Sequence, residues 1–413
     1  MYLTAMTHRD ELYDLTLRWL NDRFHPDDGN TVSKIFVYES AISAVAVEHM
    51  VGFLSRWLDS SLKIERIRQK HVLRERIIAH QPLQNPRMQE LTGTYLENPK
   101  FFFPHLPIDA VAITDSDSRL VAIARIKRLS RVAEKISYRL VDALFKEVQA
   151  EANRLAGQRA AAAGAELIDF ISSTTAMHTD FIEAEATVAH RFQDGNVHID
   201  RQALTINDII GFKIIGSSQM LDHLTQALYD EPGITVIERE KHSGDYNAVN
   251  LLLDLDLPSA SVLTGHMQTI DWSIGLRRGL SPEYLRRNVA EYVNQGAKSI
   301  RIEIILTTYE ELMEAEFGRS IHELRVLRLR HRLTYAGPLG QNAGYLIEYL
   351  LALASSPTVS IPEIPIKMYG RYLPEAIATL KCALYGTDID GGLLSTFCPE
   401  QDCLRHFRTT GGE

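Results

Sequence analysis

Asn207-Asp208-Ile209-Ile210-Gly211-Phe212-Lys213-Ile214-Ile215 reads as a short strand entered from a carboxylate. The run is apolar, β-branched and of strand length. Gly211 within it lets another backbone or a ligand come close. Asp208 at its mouth is either an ordinary turn residue or a ligand for Mg²⁺, a hard cation that favours oxygen.

Similar runs lie on both sides. Ile234–Ile237, Val249–Leu255 and Ile300–Leu306 follow it, and Val111–Ile113 and Val121–Ile123 precede it around the turn Asp115–Ser118. Helical patterns intervene at Ser218–Tyr229, at Pro282–Asn294, and from Tyr309, where Thr308 and Glu311 form a capping box. Ser130 precedes a helix that carries Val132, Ile136, Leu140, Leu144 and Val148 at steps of four, one apolar stripe. Ala160–Ala163 closed by Gly164 reads as a helix end. Phe181–Phe192 is open between helix and strand, and Asp194-Gly195 reads as a hairpin turn. The whole predicts an α+β fold, a mixed β-sheet flanked by helices.

The first hundred residues read as all helical. Thr7 is placed to cap a helix with Leu12, Leu15 and Trp19 on one face. Val32–Leu58 is apolar almost all round, which predicts a buried helix. Ser61–His80 reads as a basic helix with Lys63, Arg66, Arg68, Lys70, Arg74 and Arg76, either a solvated face or an RNA surface. A helix near Ala343–Leu353 and a Pro-rich stretch lead into a tail. The organisation predicted is a helical region over 1–100, a sheet domain over 101–333 and a C-terminal extension over 334–413.

Composition narrows the class. The 413 residues are 45% hydrophobic and 23% charged, which excludes wholesale disorder. The net charge of −9 argues against a general nucleic-acid coat. Three cysteines make no disulfide framework and point to a reducing compartment. Glu39, Glu48 and His49 interrupt the longest apolar stretch, so a cytoplasmic location is expected. Cys398, Cys403 and His406 have zinc-like spacing without a fourth ligand.

Two further segments carry charge in informative places. Arg125, Lys127, Arg131 and Lys135 gather at a strand-to-helix junction, a plausible polyphosphate clamp. Glu303 lies inside Arg301-Ile302-Glu303-Ile304-Ile305-Leu306, where a carboxylate needs a metal or a structural partner such as Lys213 or Arg301. Asp254 and Asp256 share a strand face and are either a second acidic pair or a strand end.

In this order, Arg125-Ile126-Lys127 with Lys135, Asp208-Ile209-Ile210-Gly211-Phe212-Lys213, Gly244-Asp245-Tyr246-Asn247-Ala248-Val249-Asn250, Glu303-Ile304-Ile305-Leu306-Thr307-Thr308, and Ala315-Glu316-Phe317-Gly318 with His322 resemble the synthetase domain of the RelA/SpoT family of (p)ppGpp synthetases. The resemblance covers about Ala124–Leu324. It implies a nucleotidyltransferase-like fold and a Mg²⁺-dependent transfer of pyrophosphate from ATP to the 3′-hydroxyl of a guanine nucleotide, the chemistry of the stringent response. It implies that Arg125, Lys127, Arg131 and Lys135 hold the donor phosphates, and that Asp208 and Glu303 serve metal and catalysis. Tyr246, Asn250 and His322 would face the acceptor. The chain departs from the family pattern at Ile305 and Thr307, where the family has Gln and Arg, and at Asp245, Asn250 and Lys213. Two alternatives accompany those departures: a nucleotide-binding regulator whose site has decayed, and a toxin-like enzyme acting on an RNA end.

Overall fold

The computed structural model describes residues 1–80, 85–170, 174–330 and 337–385. Nine strands are present among them: β1 Tyr2–Leu3, β2 Lys63–Gln69, β3 Pro107–Thr114, β4 Leu120–Ile126, β5 Thr205–Ile206, β6 Ile210–Ile215, β7 Ile234–His242, β8 Ala248–Asp256 and β9 Ser299–Thr307. Seven form one mixed sheet in the order β2-β3-β4-β6-β9-β8-β7, and β1 pairs separately with β5. Only β6 and β9 run parallel within the large sheet; its other neighbours are antiparallel. The α+β class with a mixed sheet is therefore as expected.

The helices are α1 Arg9–Leu20, α2 Asp28–Leu58, α3 Lys70–Ala79, α4 Pro86–Glu97, α5 Leu129–Ala163, α6 Leu167–Phe170, α7 Thr174–Gln193, α8 Ser218–Asp230, α9 Ala260–Gln268, α10 Pro282–Gln295, α11 Tyr309–Phe317, α12 His322–Arg330, α13 Pro338–Ser355 and α14 Pro374–Tyr385. The period of two divides the sheet into two faces. One face turns Phe212, Ile214, Ile302, Ile304, Leu251 and Leu253 into the main core, shared with the apolar stripe of α5 and with α2 and α13. The other face is covered only in part. Ala110, Ala112, Ile123 and Ile215 pack there against α3, α4 and α11. The uncovered part is the floor of a cleft of about 1560 Å³.

Several expectations need correction. The N-terminal region is not all helical, because Lys63–Gln69 is the edge strand β2, paired antiparallel with β3. Its alternating charges suit an edge, and Ile67 drops into the second core. The basic face does not exist as one surface: Lys70 and Arg74, one turn apart on α3, are buried. Thr7 does not cap α1. His8 occupies the cap position, and the buried Glu39 carboxylate of α2 accepts from Thr7 N at 2.8 Å, His8 N at 3.1 Å and the Tyr292 hydroxyl at 2.8 Å. That role explains a carboxylate inside an apolar helix: it takes up N–H groups at the start of α1 that would otherwise lack acceptors. Asp194-Gly195 makes no hairpin; Gly195, at φ 68°, follows the end of helix α7, which also settles Phe181–Phe192 as helix.

Asp28–Leu58 is the one helix among the described residues long and apolar enough to cross a membrane, and most of its apolar window is buried in the core. Cys398, Cys403 and His406 lie outside the described residues.

Candidate functional site

Register sets the floor of the cleft. Across four strands, Arg125 of β4 faces Gly211 of β6, Gly211 faces Glu303 of β9, and Glu303 faces Leu252 of β8. The adjoining row is Ile123, Lys213, Ile305 and Asn250. Two residues along a strand share a face, so Arg125 and Lys127, Gly211 and Lys213, Glu303 and Ile305 all turn to the cleft. Asp208 lies two residues before β6, and helix α5 starts just after Lys127. All nine residues named from the sequence, Arg125, Lys127, Arg131, Lys135, Asp208, Tyr246, Asn250, Glu303 and His322, line this one cleft.

Asp208 is held by two lysines. Lys127 Nζ lies 3.0 Å from its Oδ2 and also donates to its backbone carbonyl, and Lys135 Nζ donates to the same Oδ2. Burial pushes the Asp208 carboxyl up, but the two ammonium groups outweigh it and hold it well below the usual carboxylate range. Glu303 has no hydrogen bond or ion pair among the described residues. Desolvation raises its pKa, Lys127 only partly offsets this, and Asp208 raises it further. Of the two structural partners open to Glu303 from the sequence, Arg301 is bound instead to Asp254, at 2.8 and 2.9 Å. That pair also explains Asp254 without a second acidic site. Lys213 makes no ion pair among the described residues, and burial lowers its pKa to about 8.

The four cations Arg125, Lys127, Arg131 and Lys135 are not equivalent. Lys127 and Lys135 converge on Asp208. Arg125 leans to the buried Glu316 at 3.3 Å, and Arg131 pairs with Glu134 at 2.5 Å. Glu316 is the hub of a buried cluster that also takes Lys70 at 2.6 Å and Arg74 at 3.6 Å, while Glu323 takes the same two cations at 3.0 and 3.1 Å. Burial raises the Glu316 pKa, but Lys70, Arg125 and Arg74 pull it far below the ordinary value.

One face of Tyr246 is covered by the Arg325 guanidinium, 4.5 Å from the ring centre, and His242 tilts against the ring at 5.6 Å. Burial pushes the Tyr246 hydroxyl up to about 12. Asn250 Oδ1 is buried and has no partner among the described residues. Burial against the cleft wall, then Lys70, Arg125 and Arg325, lower the pKa of His322, so its ring is neutral.

The sequence places Lys70 and Arg74 on a basic helix face rather than in a buried cluster, and assigns no role to Glu316 or Arg325. Lys70 and Arg74 were legible as cations four apart on a helix. Glu316 was quoted only as part of a motif, although a carboxylate between Ala315 and Phe317 needs partners. Arg325 follows His322 by three and shares its face of α12. Comparison with family models, curated proteins and solved structures finds no match.

A divalent cation fits these residues by donor chemistry. Among the described residues Glu303 is a desolvated carboxylate without a partner, and Asp208, two residues before the neighbouring strand β6, is close enough for its charge to raise the Glu303 pKa. Mg²⁺ keeps several waters and needs only one or two carboxylates beside substrate phosphates. No cluster of three or more metal-ligating side chains occurs among the described residues.

Proposed function

We propose that this chain is a divergent, Mg²⁺-dependent nucleotide pyrophosphokinase with a nucleotidyltransferase-like sheet, transferring pyrophosphate from ATP to a nucleotide 3′-hydroxyl. The observation that carries the reading is that Glu303 of β9 lies opposite Gly211 of the parallel strand β6, that Asp208 stands two residues before β6, and that Lys127 and Lys135 engage Asp208 in the same cleft. The site residues divide the work as phosphoryl transfer requires: position the phosphates, neutralise charge and take a proton.

Lys127 and Lys135 bind donor phosphate oxygens, and Arg125 and Arg131 extend the cationic wall. Asp208 and Glu303 would hold Mg²⁺, which supplies charge neutralisation on the triphosphate. The acceptor oxygen attacks the β-phosphorus, the bond between the α-β bridging oxygen and that phosphorus breaks, and AMP leaves. The acceptor proton passes to Glu303 where that carboxylate is not taken up by the metal. Lys127 and Lys135 keep Asp208 ionised and so ready for a cation. A guanine nucleotide is the first choice of acceptor because Tyr246, an aromatic ring that lines the cleft, can stack a base.

Labelled ATP with Mg²⁺ and a panel of nucleotide and RNA acceptors tests the reading. AMP release that disappears in Glu303→Gln supports it, and AMP release that persists in that variant removes Glu303 from the mechanism. A second reading, a nucleotide-binding regulator without transfer, is favoured by Ile305 on the cleft floor and by the Arg325 cover on Tyr246. ATP binding with no AMP from any acceptor selects it.

A further inference from the structure

The two ammonium groups suited to phosphate are the same two that occupy the carboxylate suited to metal. Lys127 and Lys135 both engage Asp208 Oδ2, whereas Arg125 is engaged by Glu316 and Arg131 by Glu134. The loop is tied further by Lys127 N, which donates to Ile209 O at 2.9 Å. We propose that divalent metal and polyphosphate bind this cleft as a thermodynamically coupled pair, each freeing the ligand of the other. This inference rests on the reading of the cleft as a metal–nucleotide site.

The coupling follows from counting partners. A metal ion arriving alone must displace two ammonium groups from Asp208. Lys127 is half-buried, so its displaced charge is left desolvated without a carboxylate. A polyphosphate arriving alone draws both lysines away from Asp208 and leaves its charge, like that of Glu303, without a cation in a partly desolvated cleft. When both arrive, the lysines go to phosphate, the carboxylates go to metal, and every charge has a partner. Linkage makes the effect reciprocal: whatever factor polyphosphate adds to metal affinity, metal adds to polyphosphate affinity.

The full-length chain is titrated with Mn²⁺ alone by electron paramagnetic resonance, with ATP in EDTA by calorimetry, and with ATP and Mg²⁺ together. Lys135→Met removes half of the lock, and Lys213→Met is the control, a cation on the same floor that does not touch Asp208. The expected result is weak binding of either ligand alone to the wild type, tight binding of the pair, and Mn²⁺ affinity raised about fivefold or more by Lys135→Met. The same variant binds Mg·ATP more weakly, and Lys213→Met changes Mn²⁺ affinity less. Chelation of metal by ATP in solution cannot mimic this, because the metal-only measurement contains no ATP. Equal Mn²⁺ affinity in wild type and Lys135→Met, equal shifts in the two variants, or metal-free ATP binding as tightly as Mg·ATP overturns the coupling while leaving the site. Absence of binding in every combination removes the reading of the cleft itself, and the coupling with it.

Discussion

Gly211 sits directly opposite Glu303 in the parallel pairing of β6 with β9, and a Cβ at position 211 would meet Glu303 Oε2 at 3.6 Å. That distance is ordinary contact, so Gly211→Ala is expected to fold and to bind Mg·ATP within a few-fold of the wild type. Gly211→Leu carries branches into the space of the carboxylate, an overpacking cost of about 1–3 kcal/mol. Roughly tenfold weaker Mg·ATP binding is expected, with a circular-dichroism spectrum like that of the wild type. Undiminished binding in Gly211→Leu would mean that the Glu303 carboxylate is not part of the site.

Glu316 holds the charge cluster behind the cleft, and removing one partner of a buried ion network leaves the others uncompensated. Glu316→Gln is expected to cost about 3–5 kcal/mol in urea unfolding at neutral pH. The sign with pH follows from the lowered folded pKa of Glu316. Its contribution is complete above the unfolded value near ~4.3 and is lost as pH falls below that value toward the folded one. The gap between wild type and variant should therefore narrow below about pH 4. A gap that stays constant into acid would show that charge is not what the residue contributes.

Much of the sheet was legible because its strands announce themselves. Ile209–Ile215 and Ile300–Leu306 are apolar, short and β-branched, and no helix of that length competes with them. The carboxylates that line the cleft stand out for a related reason: Asp208 and Glu303 lie next to or within such runs, where burial needs a purpose. Lys63–Gln69 was misread because its cations recur at helical spacing, while the pairing that makes it a strand lies forty residues away in β3. Asp194-Gly195 failed similarly, since a positive-φ glycine ends a helix as readily as it turns a hairpin. The capping of α1 by Glu39 was hidden because the acceptor comes from another helix rather than from the local Thr7.

Tyr246 presents a ring already stacked by Arg325 on one face. Its hydroxyl has no hydrogen bond among the described residues, so Tyr246→Phe is expected to leave guanine-nucleotide affinity unchanged. Tyr246→Leu removes the aromatic face, and a loss of about 1–3 kcal/mol is expected if a base stacks there. Titration with GDP distinguishes the two outcomes. Equal affinity in wild type and Tyr246→Leu would reduce the ring to a support for Arg325.

Lys213 is the cation whose presence on the floor is hardest to justify by stability. It makes no ion pair among the described residues, and burial lowers its pKa from the ordinary 10.5 to about 8. Below about pH 8 both folded and unfolded chains carry the proton, so folding bears the full cost of burying the charge. Between about 8 and 10.5 the unfolded chain binds more protons than the folded one, and stability from this group rises with pH. Lys213→Met is therefore expected to be more stable than the wild type at pH 7, by about 1–3 kcal/mol, with the difference shrinking toward pH 10. The same substitution removes a cleft cation, so affinity for Mg·ATP should fall. A residue that lowers stability and raises ligand affinity is serving the site, and the two measurements must move in opposite directions for that to hold. Loss of stability in Lys213→Met at pH 7 would instead make Lys213 part of the charge cluster around Glu316, whose field already reaches it.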